Sequence, residues 1–174
     1  RSEDVRARID VLTELAAGWR LQLTKWNRMN EGRKTLVDGE PSPSRNDEYL
    51  LYQTLLGAWP HEPLTQPALD AFRARIQAYM QKAVREAKAM TSWVNPHEAY
   101  EAALARFIDG LLGTPDNNRF IQDFVPLQQR YGARVGMAAA DWDTVDRPGR
   151  VGAPSSGPKR DIVLTEGTPL KAGD

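Results

Sequence analysis

The chain has 174 residues, with 23 basic and 23 acidic side chains, a formal net charge of +0, no cysteine and two histidines. It is too short for a complete TIM barrel, which takes roughly 200–250 residues, and suits one domain with or without a tail. The balanced charge gives no electrostatic footprint for nucleic acid or an anionic membrane, and the lack of cysteine excludes disulfides and thiol nucleophiles and suits a reducing, cytoplasmic setting.

His61 and His97 are too few for a multi-histidine metal site, so neither a metal nor a cofactor is expected. No apolar run approaches the roughly 18 residues a membrane span needs, and no signal peptide is visible.

In chain order, Val5, Ile9, Leu12, Ala16, Trp19, Leu23 and Trp26 recur at steps of three and four, which predicts one amphipathic helix over 2–30. Ser2 is its expected cap, and Glu3 and Asp4 occupy its first turn, where the helix dipole favours acids. Residues 31–46, with Gly32, Gly39, Pro41 and Pro43, read as a long loop. Asn46 is the expected cap of a second helix over 47–58, with Asp47 and Glu48 in its first turn, an apolar face of Leu51, Tyr52, Leu55, Leu56 and Trp59, and Pro60 as its stop.

A third helix is expected over 66–90, with Leu69, Phe72, Ile76, Tyr79, Ala83 and Ala87 inward. Arg73, Arg75, Lys82, Arg85, Glu86 and Lys88 lie opposite as a solvated face with modest ion pairs. After the connector Thr91–Ser92–Trp93–Val94, the string Asn95–Pro96 with Glu98 signals a helix start at 96. That fourth helix, over 96–112, carries Tyr100, Leu104, Phe107 and Leu111. A fifth, over 117–131, carries Phe120, Phe124, Leu127 and Tyr131. The fold class is therefore all-α, with a helical domain over 1–131. Residues 132–174, rich in glycine and proline and without apolar periodicity, read as an irregular or disordered tail.

Acid pairs such as Glu3/Asp4 and Asp47/Glu48 could serve acid–base chemistry, but first-turn acids are ordinary dipole partners. Five tryptophans are many for this length, and aromatic rings stack on sugars. Trp19 and Trp26 fall on an apolar stripe and read as core. Trp93 lies in a polar connector, where a surface role and a structural one are equally open.

Three strings go further: Arg1–Ser2–Glu3–Asp4–Val5–Arg6–Ala7–Arg8; Asn46 through Pro60; and Lys82–Ala83–Val84–Arg85–Glu86–Ala87–Lys88 continued by Thr91–Ser92–Trp93, Asn95–Pro96 and Tyr100–Glu101. Together they resemble the maltooligosyltrehalose synthases of the α-amylase superfamily, over about residues 1–131. The resemblance implies part of an enzyme that isomerises the reducing-end α-1,4 bond of a maltooligosaccharide to an α,α-1,1 bond by retaining intramolecular transglucosylation. Its nucleophile, acid/base and stabilising aspartate belong to segments that precede the residue matching Arg1, so no catalytic residue is expected in this chain, and the chain alone should be inactive.

The resemblance further implies a helical insertion whose partners are a barrel domain and the maltooligosaccharide. The residues expected on the sugar- or barrel-facing side are Arg1, Glu3, Asp4, Arg45, Asn46, Asp47, Glu48, Tyr52, Gln53, Lys82, Arg85, Glu86 and Trp93. Beyond Tyr131 the family's Pro-Gly-x-Pro-Asp string is missing, which is what a frameshifted or misassembled reading frame would produce. The alternative function is a non-catalytic helical binding or scaffold module.

Overall fold

The structure, a computed structural model, describes Ile9, Leu12 and residues 16–60, 64–114 and 118–131. Arg1, Glu3, Asp4, His61, Trp142 and the whole expected tail lie outside the described residues. Within them the chain is helical, as its periodicity predicts. Helix α1 spans Ala16–Asn30, α2 Arg45–Ala58, α3 Gln66–Ala87, α4 Glu98–Leu111 and α5 residues 119–131. Ile9 and Leu12 are also helical, and Leu12 is buried.

Helix α1 turns Trp19 and Trp26 inward. It ends in a short 3-10 turn, Glu31–Arg33, and the expected loop then forms a hairpin of β1 (Thr35–Val37) and β2 (Glu40–Ser42). The strands are antiparallel, pairing Thr35 with Ser42, Leu36 with Pro41 and Val37 with Glu40. The cause is the dipeptide Asp38–Gly39, whose φ angles of 54° and 83° both lie in the left-handed region that a two-residue hairpin turn requires. Three-residue strands, one containing a proline, carry too little alternation to be read from sequence. The Ser42–Pro43 peptide bond is cis.

Two helix starts differ from expectation. Ser44, not Asn46, caps α2: its hydroxyl accepts from the Asp47 amide at 3.2 Å, while Asn46 is already helical and exposed. His97, not Asn95, caps α4 through Nδ1, which accepts from the Tyr100 amide at 3.4 Å. Asn95 instead closes a local turn, its amide donating to Ser92 Oγ at 2.9 Å. Helix α3 stops at Ala87, short of the expected residue 90, because Lys88 adopts the left-handed conformation at φ 56°. Its buried stripe ends on Met80 and Val84, leaving Ala87 exposed. Helix α5 is capped by Asn118, whose Oδ1 accepts from the Phe120 and Ile121 amides while its Nδ2 donates to the Leu111 carbonyl at 2.9 Å. One side chain thus satisfies both the end of α4 and the start of α5.

The centre of the core is aromatic. The Trp26 ring lies 5.1 Å from Tyr52, 5.4 Å from Phe120, 5.6 Å from Phe124 and 5.6 Å from Trp19, centroid to centroid. Trp59 continues the seam to Phe72 and Phe124 at 5.2 and 4.9 Å. The indole N–H of Trp26 donates to Asp123 Oδ2 at 2.8 Å, and Gln22 and Lys25 donate to the same carboxylate, so α1 is pinned to α5 by polar as well as apolar contact. Trp26 is fully buried and Trp93 is 55% exposed. Trp26→Ala should therefore lower unfolding free energy by about 3–5 kcal/mol, and Trp93→Ala by far less. Urea denaturation of the two variants checks the contrast, which equal losses would contradict.

Candidate functional site

Two polar assemblies among the described residues gather candidates that the sequence singles out. The first lies beneath the hairpin. Glu48, fully buried, accepts from the Tyr52 hydroxyl at 2.7 Å and has the Lys34 ammonium 2.7 Å from its other oxygen. Asn30 Nδ2 donates to the Tyr52 hydroxyl at 3.0 Å, and Arg33 donates to Asn30 Oδ1 at 2.6 Å. One residue earlier, Asp47 accepts from the Ser44 hydroxyl at 2.9 Å and from the Tyr100 hydroxyl. That hydroxyl in turn accepts from the Ser44 amide at 3.0 Å, and the Tyr100 carbonyl accepts from Ser42 Oγ at 3.3 Å. Burial, reinforced by the neighbouring carboxylates, pushes the Tyr52 phenol above the ordinary range and the Tyr100 phenol up to about 12. Both tyrosines therefore stay protonated donors near neutrality.

The second assembly joins α3, α4 and the connector between them. Arg85 grips Glu101 with two parallel bonds, Nε to Oε1 at 2.7 Å and Nη2 to Oε2 at 2.6 Å. Gln81 donates to Glu101 Oε2 at 2.9 Å, and the buried Thr91 hydroxyl donates to Oε1 at 2.7 Å. Thr91 Oγ1 also accepts from the His97 amide at 2.9 Å. The Arg85 guanidinium lies 4.9 Å from the centroid of the Trp93 ring, a cation–π contact. Beside this cluster a groove of ≈ 540 Å³ opens between α3 and α4, lined by Gln77, Gln81, Arg85, Glu98 and Glu101 among others. His97 Nε2 meets Asp38 Oδ2 at 2.8 Å, tying the hairpin turn to the start of α4.

The residues expected from sequence thus separate. Asp47, Glu48 and Tyr52 come together inside the fold. Arg45 and Asn46 are exposed in the first turn of α2, and Gln53 donates to the Tyr49 hydroxyl at 3.0 Å. Lys82 and Glu86 form an exposed pair at 3.6 Å, of little energetic weight. Arg85 and Trp93 meet in the second assembly. The solvated face expected on α3 is corrected at Arg85, which turns to the buried Glu101, while Arg73 makes part-exposed ion pairs with Asp70 at 3.0 Å and Asp109 at 3.3 Å. Glu101 and Tyr100 lie within the quoted strings, yet nothing in their spacing marks them as partners of residues on other elements. Among the described residues no group of three metal-ligating side chains occurs, and no helix is long and apolar enough to cross a membrane.

The grip of Arg85 lowers the Glu101 carboxyl from 4.5 to about 2, against the opposing effect of burial and with help from Gln81 and Thr91. A carboxylate whose folded pKa is depressed adds stability above its unfolded pKa and loses it as pH falls towards the folded value. The stability difference between wild type and Glu101→Gln should accordingly be largest near neutrality and shrink between pH 4.5 and about 2. Denaturant titrations of both proteins across that range measure it; a difference independent of pH would contradict the assignment.

No family model matches the chain. It is 34% identical over 115 residues to a Mycobacterium tuberculosis protein (strain H37Rv) that bears the name of a maltooligosyl trehalose synthase, a match covering 66% of this chain and 13% of that relative. A crystal structure of a maltooligosyl trehalose synthase superposes with a TM-score of 0.67 at 29% identity, over 83% of this chain and 18% of that one. The Arthrobacter ramosus maltooligosyltrehalose synthase superposes with a TM-score of 0.57 at 32% identity, over 81% and 16%. This chain is therefore homologous to one segment of such enzymes, and it spans only about an eighth of the curated relative's length.

Proposed function

We propose that this chain serves as the helical segment of a maltooligosyl trehalose synthase, an isomerase that converts the reducing-end α-1,4 linkage of a maltooligosaccharide into an α,α-1,1 linkage. The observation that carries the reading is the 115-residue match at 34% identity, together with a superposition that reaches past four-fifths of the chain. The chemistry is retaining: a carboxylate nucleophile takes the maltooligosyl group at its anomeric carbon, a carboxylic acid protonates the O4 of the departing reducing-end glucose, and that glucose turns over and returns through its anomeric hydroxyl, releasing the nucleophile. Those carboxylates belong to the barrel that this segment joins. Asp47 and Glu48 spend their bonding on Tyr100, Ser44, Tyr52 and Lys34.

The segment's part is positional. Exchange of the bound glucose with water would divert the reaction to hydrolysis, so the pocket must be walled on every side. A helical body stiffened by buried ion pairs suits that task. Arg45, Asn46, Lys82, Glu86 and Trp93 are the exposed candidates for meeting the barrel or the glucan, and Arg1, Glu3 and Asp4 are further candidates on the same reading.

Incubated alone with maltohexaose, the chain should leave reducing ends unchanged; their sustained loss would contradict the division of labour. Grafted in place of the matching segment of the Mycobacterium tuberculosis relative, it should preserve conversion of maltohexaose to a non-reducing product. A folded graft that has lost that conversion would overturn the reading.

A further inference from the structure

The connector between α3 and α4 presents Trp93 and Val94 to solvent, at 55% and 96% exposure, although the backbone around them is fixed. Thr91 is buried on Glu101. The Ser92 amide donates to the Asn95 carbonyl at 3.2 Å, and the Asn95 amide donates back to Ser92 Oγ at 2.9 Å. An exposed apolar pair on a mobile loop needs no explanation, whereas one on a hydrogen-bonded turn is held out of the core by construction. The Trp93 ring takes its orientation from Arg85, whose guanidinium lies 4.9 Å from its centroid. Arg85 is in turn fixed by the two-pronged bond to Glu101. A planar guanidinium clamped on one side by a carboxylate and covered on the other by an indole has no freedom to swing.

We propose that Trp93 is a stacking platform for a glucose ring of an α-1,4-glucan, and that Glu101 is a positioning residue that sets the platform through Arg85. This rests on the reading of the chain as a segment of a glucan-converting enzyme. Two features of the site favour a neutral sugar. First, the cation beside the ring is neutralised by Glu101, so no net positive charge is left to recruit a phosphate or an acidic peptide. Second, the groove beside Arg85 mixes polar side chains, among them Gln77, Gln81 and the exposed Glu98, with apolar ones such as Ala78 and Ala102, a mixed lining that suits a ring with C–H faces and hydroxyls on its rim. The apolar face of a pyranose covers an indole face, and its hydroxyls reach the polar wall beside it.

The test uses the whole 174-residue chain, titrated with maltohexaose and followed by calorimetry and by tryptophan emission. Wild type should bind saturably, with a change in emission. Trp93→Ala, which removes an exposed ring and keeps the fold, should weaken binding about tenfold or more, and Trp93→Tyr should restore most of it. Glu101→Gln should keep the helical circular dichroism, shift the Trp93 emission maximum and weaken binding severalfold. A purely structural Glu101 would alter thermal stability and leave both the emission of the folded protein and the affinity unmoved, which overturns the positioning role. Absence of saturable binding by wild type, or equal binding by wild type and Trp93→Ala, overturns the platform. In the second case the exposed pair is a contact for the rest of the enzyme instead. The graft experiment is independent: an active graft with no glucan affinity at Trp93 refutes this proposal alone, and an inactive graft with Trp93-dependent affinity refutes the function alone.

Discussion

A carboxylate withdrawn from water must find a cation or several donors, or the fold that withdraws it is lost. Among the described residues three carboxylates, Asp47, Glu48 and Glu101, are buried, and each is met from another part of the chain. Glu48 of α2 receives Lys34 from the approach to the hairpin, Asp47 receives the Tyr100 hydroxyl from α4, and Glu101 of α4 receives Arg85 and Gln81 from α3. Apolar burial makes these helices associate, and it is permissive about angle and register. The buried acids are not permissive. Each can be satisfied only when one hairpin, one helix face or one connector sits within hydrogen-bond reach, so they select one arrangement among the several that the aromatic seam would tolerate.

The same constraint links fold to function. The hairpin is short, contains a proline and pairs only three residues on a side, so its own ladder is weak. It is held by Ser42 and Ser44 against Tyr100 and by Asp38 against His97. The Thr91–Asn95 connector likewise has no core of its own and is held by Glu101. Loops placed by buried charge on a helical scaffold can be rigid without a core of their own, which is what the proposed role beside a sugar pocket would require of them.

The helices were legible because their apolar residues recur at helical spacing and most of those residues are indeed buried, Trp19, Trp26, Leu51, Leu55, Phe72, Tyr100, Phe107, Phe120 and Phe124 among them. The caps were only half legible. Ser44 and Asn46 are both good cap residues two positions apart, and the choice fell to Ser44, whose hydroxyl also donates to Asp47 and whose amide donates to the Tyr100 hydroxyl. Asn95 lost the cap of α4 as its carbonyl, which in a cap accepts the first helical bond, accepts from the Ser92 amide instead. Asp38–Gly39 carried a hairpin signal, but the flanking strands are too short to show alternation. The polar assemblies were the least legible part. Arg85 and Glu101 stand sixteen positions apart on different helices, and Lys34 and Glu48 fourteen apart across a hairpin. No periodicity encodes such pairs; they exist only once the helices have docked. Exposed Trp93 was distinguishable from core Trp26 by its polar connector, whereas its guanidinium support was not.

The claim that buried charge selects the docking is tested most directly at Lys34 and Glu48, by a double-mutant cycle read from urea denaturation. Lys34→Met strands a fully buried carboxylate and should cost about 3–5 kcal/mol. In the background of Glu48→Gln, which keeps an acceptor for the Tyr52 hydroxyl, the same Lys34→Met should cost much less, giving a coupling energy of about 1–3 kcal/mol. Additive losses, with Lys34→Met equally harmful in both backgrounds, would mean that Lys34 and Glu48 do not act as a pair and that apolar packing alone determines how these elements meet.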